Sequence, residues 1–312
     1  MSLLNRRSLL KASVSTLAVL LPFGAAVGQT NSLSDLGTKV VPLPTVTVYT
    51  AREVLTLDPA KPVVDAVAVV DGRILLTGSL QDVVDTLKGQ RHTIDTRFAD
   101  KVIVPGFIAQ HDHPLLAALT MSSEILSIED WVLPFGTVAA VRDKQDFIDR
   151  LTKAVESKKD PTEPVVTWGY HPAFYGALTR EDLDAISTTQ PSLVWARSCH
   201  EMILNTVALE IGGVTQELVD GFSPTEKMQS RFAEGRFWEQ GLFAVLPNIA
   251  PLAASPERLQ AGLELTRDYM HAKGITFGNE PGGILSKPVQ DGINAVFSSP
   301  DMPFRWSFMP DA

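Results

Sequence analysis

KVIVPGFIAQHDH, from Lys101 to His113, is the most informative segment of this sequence. The first four residues of this segment, 101–104, form a continuous run that is apolar after Lys101. Such a run is typical of a strand that is buried on both faces. His111 and His113 follow that run after a Pro-Gly pair. Side chains at positions i and i+2 of a strand lie on the same face. The segment therefore predicts two imidazoles side by side at the carboxyl end of a buried strand.

Strand and helix patterns alternate beyond this segment. Helices are predicted over 143–157 and 256–273, because apolar residues recur there at helical spacing. Short apolar runs predict strands over 165–169, 192–196 and 275–278. Strands that alternate with helices indicate an α/β fold with a parallel sheet. We expect a (β/α) barrel of the TIM type, in which functional sites lie at the carboxyl ends of the strands.

A small β unit is predicted ahead of the barrel, over residues 45–100. Runs of β-branched and apolar residues predict its strands, at 45–50, 63–70 and 73–78. Asp71-Gly72, which separates the last two, is a strong signal for a two-residue hairpin turn. The expected organisation is a small antiparallel unit of the β-sandwich type, followed over 101–312 by a barrel that carries an insertion.

Residues 1–28 have the pattern of an export signal. Arg6 and Arg7 precede an apolar run over 12–23 that is too short to span a bilayer comfortably, and small residues follow it. The paired arginines resemble a twin-arginine signal, so we expect export to the periplasm or the extracellular space, without stable membrane insertion after cleavage. An uncleaved amphipathic or membrane-anchoring N-terminus is the alternative. Residues 29–44 are polar and contain proline, and we interpret them as a linker.

Composition and length restrict the class of protein. The 312 residues are 45% hydrophobic, which excludes a wholly disordered chain, and a single cysteine excludes an internal disulfide. The net charge of −9 argues against a nucleic-acid partner, which usually requires a basic surface. The residues left after the export signal and the β unit are fewer than the about 250 of a typical barrel. The barrel is therefore expected to be incomplete.

Two motifs in residues 45–114 resemble the amidohydrolase superfamily. AVVDGRILLTG, at 68–78, is similar to its pattern AVxDGRIxxxG. VIVPGFIAQHDH, at 102–113, is similar to its first barrel strand, VxPGFIDxHxH. This chain departs from the second pattern at Ala109, where the family usually has aspartate, and it lacks the usual glycine turn at 98–100.

Later segments resemble amidohydrolase family 3, the group that includes enzymes like N-substituted formamide deformylase. LTREDLD at 178–184, the Cys199-His200 pair with LNTVAL at 204–209, and GITFGNEPGG at 274–283 are similar to motifs of that family. The resemblance covers essentially the whole chain after the export signal. It implies metal-dependent hydrolysis of a carbon–nitrogen bond in a small amide, formamide or cyclic amide.

His111 and His113 are the predicted metal ligands. Neutral imidazole nitrogens bind divalent ions well, and zinc is the expected ion. A bound divalent ion lowers the pKa of its water and polarises a carbonyl, which is the chemistry that hydrolysis of an amide needs. A carboxylate would transfer the proton to the leaving nitrogen.

For other candidate residues, an ordinary structural role is the alternative to a functional one. The resemblance makes His200 a candidate substrate contact, although it could be a packed histidine. Glu239 and Glu280 are candidate catalytic carboxylates. The alternative for Glu239 is a solvated helix charge, and Glu280 is a candidate because it follows a predicted barrel strand, near where members of the family often have aspartate. Cys199 is interpreted as a small packed residue and not as a nucleophile.

The resemblance implies further ligands on later strands, two histidines and an aspartate, but no histidine follows His271 in the sequence. We therefore expect this chain to resemble the N-terminal part of a family 3 enzyme, whose C-terminal half could be encoded separately. Two hypotheses remain open at this stage: an exported metal-dependent amidohydrolase, or a catalytically incomplete remnant or binding protein of the same fold. The sequence predicts neither the particular substrate nor the oligomeric state.

Overall fold

The structure, a computed structural model, describes residues 44–281 and 287–309. The predicted export signal and nearly all of the predicted linker lie outside the described residues. The chain divides between Val104 and Pro105 into two compact units. Among the helices described, none combines the length and the apolar character needed to cross a membrane.

The first unit is one mixed sheet of four strands. Its elements are β1 (Val46–Leu55), β2 (Val63–Val70), β3 (Arg73–Gly78), α1 (Leu80–Thr86) and β4 (His92–Ile103). The strand order is β3-β2-β1-β4, in which β1 pairs antiparallel with β2 and parallel with β4. The expected hairpin is confirmed, since Asp71 and Gly72 have φ of 48° and 70°, as a type I′ turn requires.

Two expectations for this region are wrong. The unit is a single sheet and not a purely antiparallel sandwich, because β4 returns parallel to β1. Residues 101–103 belong to β4 and are not a strand buried on both faces. The side chains of Val102 and Val104 are 38% and 46% exposed. The reason is that these residues pair with β1 at the edge of a mixed sheet and are not the central strand of a parallel sheet, which is the position that buries both faces of a strand.

The second unit contains a short parallel sheet that carries the candidate site. Its strands are β5 (Phe107–Ala109), β14 (Ile275–Glu280) and β15 (Arg305–Phe308), in the spatial order β15-β14-β5. Both pairings are parallel, with Ala109 opposite Gly278. The carboxyl ends of β5 and β14 therefore lie at the same edge of the sheet.

A separate sheet of six strands is formed by the long segment between β5 and β14. Its order is β12-β13-β11-β10-β9-β6, and two buried clusters cover it. The strands are β6 (Glu124–Ile125), β9 (Val165–Tyr170), β10 (Ser192–Ala196), β11 (Glu201–Leu204), β12 (Ser230–Arg231) and β13 (Arg236–Trp238). A small hairpin joins β7 (Trp131–Leu133) to β8 (Gly136–Val138).

The expected TIM barrel is not observed: within residues 44–281 and 287–309 no sheet closes into a barrel. The strands predicted at 165–169 and 192–196 exist, but they belong to the six-stranded sheet. That sheet is mixed, because β10 pairs parallel with β9 and antiparallel with β11. Alternation along the sequence predicted the α/β class correctly but not the partition of the strands between two sheets.

Helices of the second unit pack against these sheets. Both helices predicted from periodicity are confirmed, at Lys144–Glu156 and Pro256–Ala272. In chain order the helices are α2 (Pro114–Met121), α3 (Lys144–Glu156), α4 (Pro172–Tyr175), α5 (Arg180–Asp184), α6 (Thr206–Ile211), α7 (Gln216–Asp220), α8 (Pro224–Met228), α9 (Glu239–Ala253), α10 (Pro256–Ala272) and α11 (Lys287–Phe297).

Close contact between α2 and α10 positions the start of α2. A Cβ atom at Gly262 of α10 would lie 2.1 Å from the carbonyl oxygen of Ala118 in α2, so only glycine allows the two backbones to approach this closely. Ala118 and Leu263 are fully buried beside Ile293 of α11. His113 is the residue that precedes α2, and its position therefore depends on this contact.

Candidate functional site

His111 and His113 lie in the segment that joins β5 to α2. Their Nε2 atoms are 3.2 Å apart, and the two rings meet edge to face. The strand itself ends at Ala109, so the alternation of side chains along a strand is not the cause of this convergence. The turn into α2 brings the rings together instead.

Glu280, the last residue of β14, holds His113 from the other side. His113 Nδ1 donates to Glu280 Oε1 at 2.8 Å, and Glu280 is 1% exposed. The neighbouring segment is fixed as well, because the Asp112 backbone N–H donates to the Asn279 carbonyl at 3.0 Å. Burial raises the pKa of the Asp112 carboxyl, against a smaller opposing effect of the His113 backbone N–H. Glu280 is therefore a buried carboxylate at the end of β14.

The two histidines fit a bound metal ion as a pair of ligands. When Nδ1 of a histidine donates to a carboxylate, its Nε2 is left free to bind a metal. Two nitrogen ligands of a tetrahedral zinc ion are about 3.3 Å apart, from bonds of about 2.0–2.1 Å, and the Nε2 atoms of His111 and His113 are 3.2 Å apart. In the part of the chain that the structure describes, however, no group of three or more potential ligand side chains is found.

A second histidine–glutamate pair consists of His200 and Glu239. His200 Nδ1 is 3.0 Å from Glu239 Oε2, and the Glu239 backbone N–H donates to the His200 carbonyl at 2.9 Å. The antiparallel pairing of Glu201 with Trp238, one residue away from each, brings the pair together. The side chains of His200 and Glu239 are 62% and 46% exposed, so His200 is not a packed histidine.

Both pairs face one cavity of about 290 Å³. His113 and Glu280 line it together with His200 and Glu239, whereas His111 is not among the lining residues and adjoins the cavity through His113. The rest of the lining is Cys199 and a set of apolar side chains from α2 and α9. The structure therefore brings four of the five predicted site residues to one place, and sequence reasoning missed the apolar set.

The backbone is strained beside this cavity. Cys199 and Glu239 have φ of 66° and 47°, in the left-handed region that residues other than glycine seldom adopt. Burial raises the pKa of the Cys199 thiol, and the hydrogen bond from Trp168 opposes the shift. The thiol is therefore neutral near pH 7, as expected for a small packed residue and not for a nucleophile.

Comparisons with known proteins give the fold in broad terms. No protein-family model matches the chain. Protein LONG AFTER FAR-RED 3 of Arabidopsis thaliana is 26% identical over 228 residues, which are 72% of this chain and 36% of that protein. The chain therefore spans little more than a third of the curated relative it matches.

Two solved structures are similar to most of this chain. An uncharacterized metal-dependent hydrolase from Pyrococcus horikoshii OT3 superposes with a TM-score of 0.60 at 13% identity, over 85% of this chain and 48% of that one. An uncharacterized metal-dependent hydrolase from Pyrococcus furiosus gives a TM-score of 0.58 at 13% identity, over 85% and 50%. The chain has a fold found in metal-dependent hydrolases. Membership of amidohydrolase family 3 stays a prediction.

Proposed function

We propose that this chain carries the site of a metal-dependent hydrolase that cleaves carbon–nitrogen bonds in small amides or N-substituted formamides. The observation that carries the proposal is the arrangement of His111, His113 and Glu280, in which a buried carboxylate orients one of two adjacent imidazoles. The fold shared with metal-dependent hydrolases supports it.

The residues at the cavity would have separate roles in metal binding and in orienting the ligands. His111 and His113 would hold a divalent ion through Nε2, with zinc as the expected ion. When bound, such an ion supplies an activated water near neutral pH and polarises the carbonyl of the substrate. Glu280 keeps the His113 ring in one orientation and one tautomer. It therefore acts as a positioning residue and not as the proton-transferring group predicted from the sequence.

Glu239 would transfer the proton to the leaving nitrogen, and His200 would contact the substrate. They are hydrogen-bonded to one another and open to the cavity, so they can exchange protons with a bound molecule. The leaving nitrogen of an amide must gain a proton before it departs, and a carboxylate–histidine pair can deliver one. Glu239 keeps its predicted catalytic role in this proposal, and His200 its role in contacting substrate.

A second candidate function is a binding protein or catalytically incomplete remnant of the same fold. This alternative is favoured because the described residues contain no group of three or more potential ligand side chains around His111 and His113. The two proposals differ in whether the chain, or the chain with a separately encoded C-terminal half, turns over an amide.

The decisive experiment measures metal content and hydrolysis together. The purified protein is stripped with chelator and reloaded with zinc, and release of amine from N-benzylformamide is followed. We expect one tightly bound zinc and turnover, and a loss of both by at least about a hundredfold in His111→Ala and His113→Ala. His271→Ala, an exposed histidine at the end of α10, is the matched control and should behave as the wild type. Tight zinc binding without turnover would favour the remnant.

Export stays a proposal that rests on residues 1–28 alone. Fractionation of cells that express the full chain should place it outside the cytoplasm, and Arg6→Lys with Arg7→Lys should retain it inside. Retention of the unchanged chain in the cytoplasm would contradict export.

A further inference from the structure

A second cavity, of about 440 Å³, lies at the far ends of the two helices that border the first. α2 begins directly after His113, and Ser122, which follows its last residue, lines the second cavity. α9 begins at Glu239, and Pro251 and Leu252 near its end line the same cavity. With a rise of about 1.5 Å per residue, α2 spans about 12 Å and α9 about 22 Å. Both helices therefore connect the candidate site to the second cavity.

Arg258, in the first turn of α10, lines the second cavity without a hydrogen-bonded carboxylate. Its Nε and Nη2 atoms donate to the Ser122 carbonyl at 3.1 and 2.8 Å. The N–H groups on Nη1 and the second one on Nη2 have no acceptor in the part of the chain that the structure describes. Burial lowers the pKa of Arg258, and the more distant carboxylates of Glu124 and Glu163 oppose the shift. The free edge of this guanidinium is the edge that binds a carboxylate through two hydrogen bonds.

The other charged side chains of the second cavity leave one carboxylate to complement. Lys158 and Glu163 pair with each other at 2.7 Å, so their charges cancel. Glu257 is exposed and accepts a hydrogen bond from its own backbone N–H. Glu124 is exposed as well, but it accepts no hydrogen bond from the residues that the structure describes. Arg258 and Glu124 therefore offer a cation and an anion to a ligand that carries the opposite charges.

Apolar side chains form the remaining part of this lining, on the strand and helix ends between the charged groups: Pro164, Val166, Pro251 and Leu252. The volume of the second cavity lies within the range for small-molecule sites, about 300–1,000 Å³. A ligand with only a carboxylate would bring a like charge towards Glu124, and a ligand with only an ammonium group would leave Arg258 without a partner. The three parts of the lining are complementary to a small zwitterion that also has an apolar group.

We propose that the second cavity binds a free α-amino acid with an apolar side chain, such as leucine, and that the bound ligand stabilises α2. The ligand carboxylate binds the free edge of Arg258, its ammonium group binds Glu124, and its side chain packs on the apolar lining. Arg258 connects the ligand to α2, because the same guanidinium holds the Ser122 carbonyl at the end of that helix. Occupancy therefore restrains α2 and, with it, His113 at its start.

The first test compares ligands that each lack one part of leucine. Binding to the metal-free protein is measured by calorimetry for L-leucine, 4-methylpentanoate, 3-methylbutylamine and glycine, which lack in turn nothing, the ammonium group, the carboxylate and the apolar side chain. We expect each of the last three to bind at least about tenfold more weakly than leucine. Absence of leucine binding, or equal affinity for leucine and 4-methylpentanoate, would overturn the proposal.

The second test changes the two charged residues assigned to the ligand. Arg258→Gln and Glu124→Gln should each weaken leucine binding at least about tenfold, since each removes a charge-assisted hydrogen bond. Arg267→Gln on the same helix and Glu210→Gln on α6 are the matched controls, because neither residue lines the second cavity. Arg258→Gln also removes the hydrogen bonds to α2, whereas Glu124 is exposed, so Glu124→Gln keeps the test valid if the first variant unfolds. Unchanged binding in Glu124→Gln, or the same loss in the controls, would overturn the site.

Hydrogen exchange tests the connection to α2. The Ala117 backbone N–H donates to the His113 carbonyl at 2.9 Å, at the start of this helix. Saturating leucine should slow exchange of the Ala117 amide several-fold, because opening of α2 would then also disturb the bound ligand. The Leu183 amide, which donates to the Thr179 carbonyl at the start of α5, is the control and should not change. Unchanged exchange at Ala117 with leucine bound, or equal slowing at Leu183, would refute the effect on α2.

All three measurements use the metal-free protein and no substrate. Their outcome is therefore independent of whether the chain binds zinc or hydrolyses an amide at His111 and His113. Leucine binding in a protein without hydrolase activity would support this inference and reject the proposed function. Zinc-dependent hydrolysis in a protein that does not bind leucine would do the reverse.

Discussion

Two histidine–glutamate pairs of the same chemistry face one cavity, but they differ in their surroundings. In the first pair the glutamate side chain is 2% exposed, and in the second it is 46% exposed. The His113–Glu280 pair joins the residue that precedes α2 to the end of β14, whereas the His200–Glu239 pair joins a turn to the start of a helix. A buried carboxylate fixes the orientation of the histidine that donates to it. An exposed pair keeps access to water and to substrate.

The largest predicted difference between the pairs is in stability. His113→Ala leaves the Glu280 carboxylate buried without its hydrogen-bond donor, and we expect the free energy of unfolding to fall by about 3 kcal/mol. His200→Ala removes an exposed histidine–glutamate hydrogen bond and should cost less than about 0.5 kcal/mol. Urea unfolding of the metal-free proteins at pH 7 measures both. Equal losses would show that burial does not distinguish the two pairs.

A change at the contact between α2 and α10 should disturb the His113–Glu280 pair and not the His200–Glu239 pair. Gly262→Ala places a methyl group against the backbone of Ala118, and we expect the free energy of unfolding to fall by about 2 kcal/mol. Metal binding should weaken as well, because His113 immediately precedes α2. Gly292→Ala in α11 meets only an ordinary contact with Leu259, so this control should be neutral or stabilising. Thermal unfolding of both variants gives the comparison, and a destabilised control would refute the steric explanation.

Metal affinity should distinguish the two glutamates. Glu280→Gln replaces the carboxylate that orients His113, and we expect zinc affinity to fall at least about tenfold. Glu239→Gln should leave zinc affinity within about twofold, because the Glu239 carboxylate is hydrogen-bonded to His200, whereas His113 is oriented by Glu280. Competition with a chromophoric chelator measures both. Weaker zinc binding in Glu239→Gln would place the ion between the two pairs instead.

The smallest predicted effect concerns the thiol beside the exposed pair. Burial raises the pKa of Cys199, so less thiolate is present at any given pH than in a solvated cysteine. Alkylation by iodoacetamide at pH 8 should therefore be several-fold slower than for free cysteine, and its rate should still be rising above pH 9. Complete, rapid modification at pH 7 would show that the thiol is open to solvent.

The sequence predicted local features of this molecule better than long-range ones. The Asp71-Gly72 hairpin and the helices that begin near Asp143 and Ser255 are set by neighbouring residues, and the structure confirms them. The position of Glu280 against His113 depends on which strands are neighbours in the sheet. Nothing in the spacing of residues separated by 167 positions specifies that pairing.

The candidate site shows the same limit. His111 and His113 could be singled out because they follow an apolar run, although the run itself belongs to another strand. Phe243 and Leu246 could not, since apolar residues on a helix ordinarily face the core and only the fold shows that these face a cavity. Strained backbone at Glu239 is likewise visible only in three dimensions.

The pairing of β5 with β14 also affects the order in which the chain folds. Contacts between residues far apart in sequence form late, because the entropy of closing the intervening loop must be overcome first. The segment between these strands has its own sheet and two buried clusters, so it can fold before they meet. We expect the hydrogen bond between His113 and Glu280 to be among the last to form. The oriented imidazole therefore exists only in molecules whose interior is already folded.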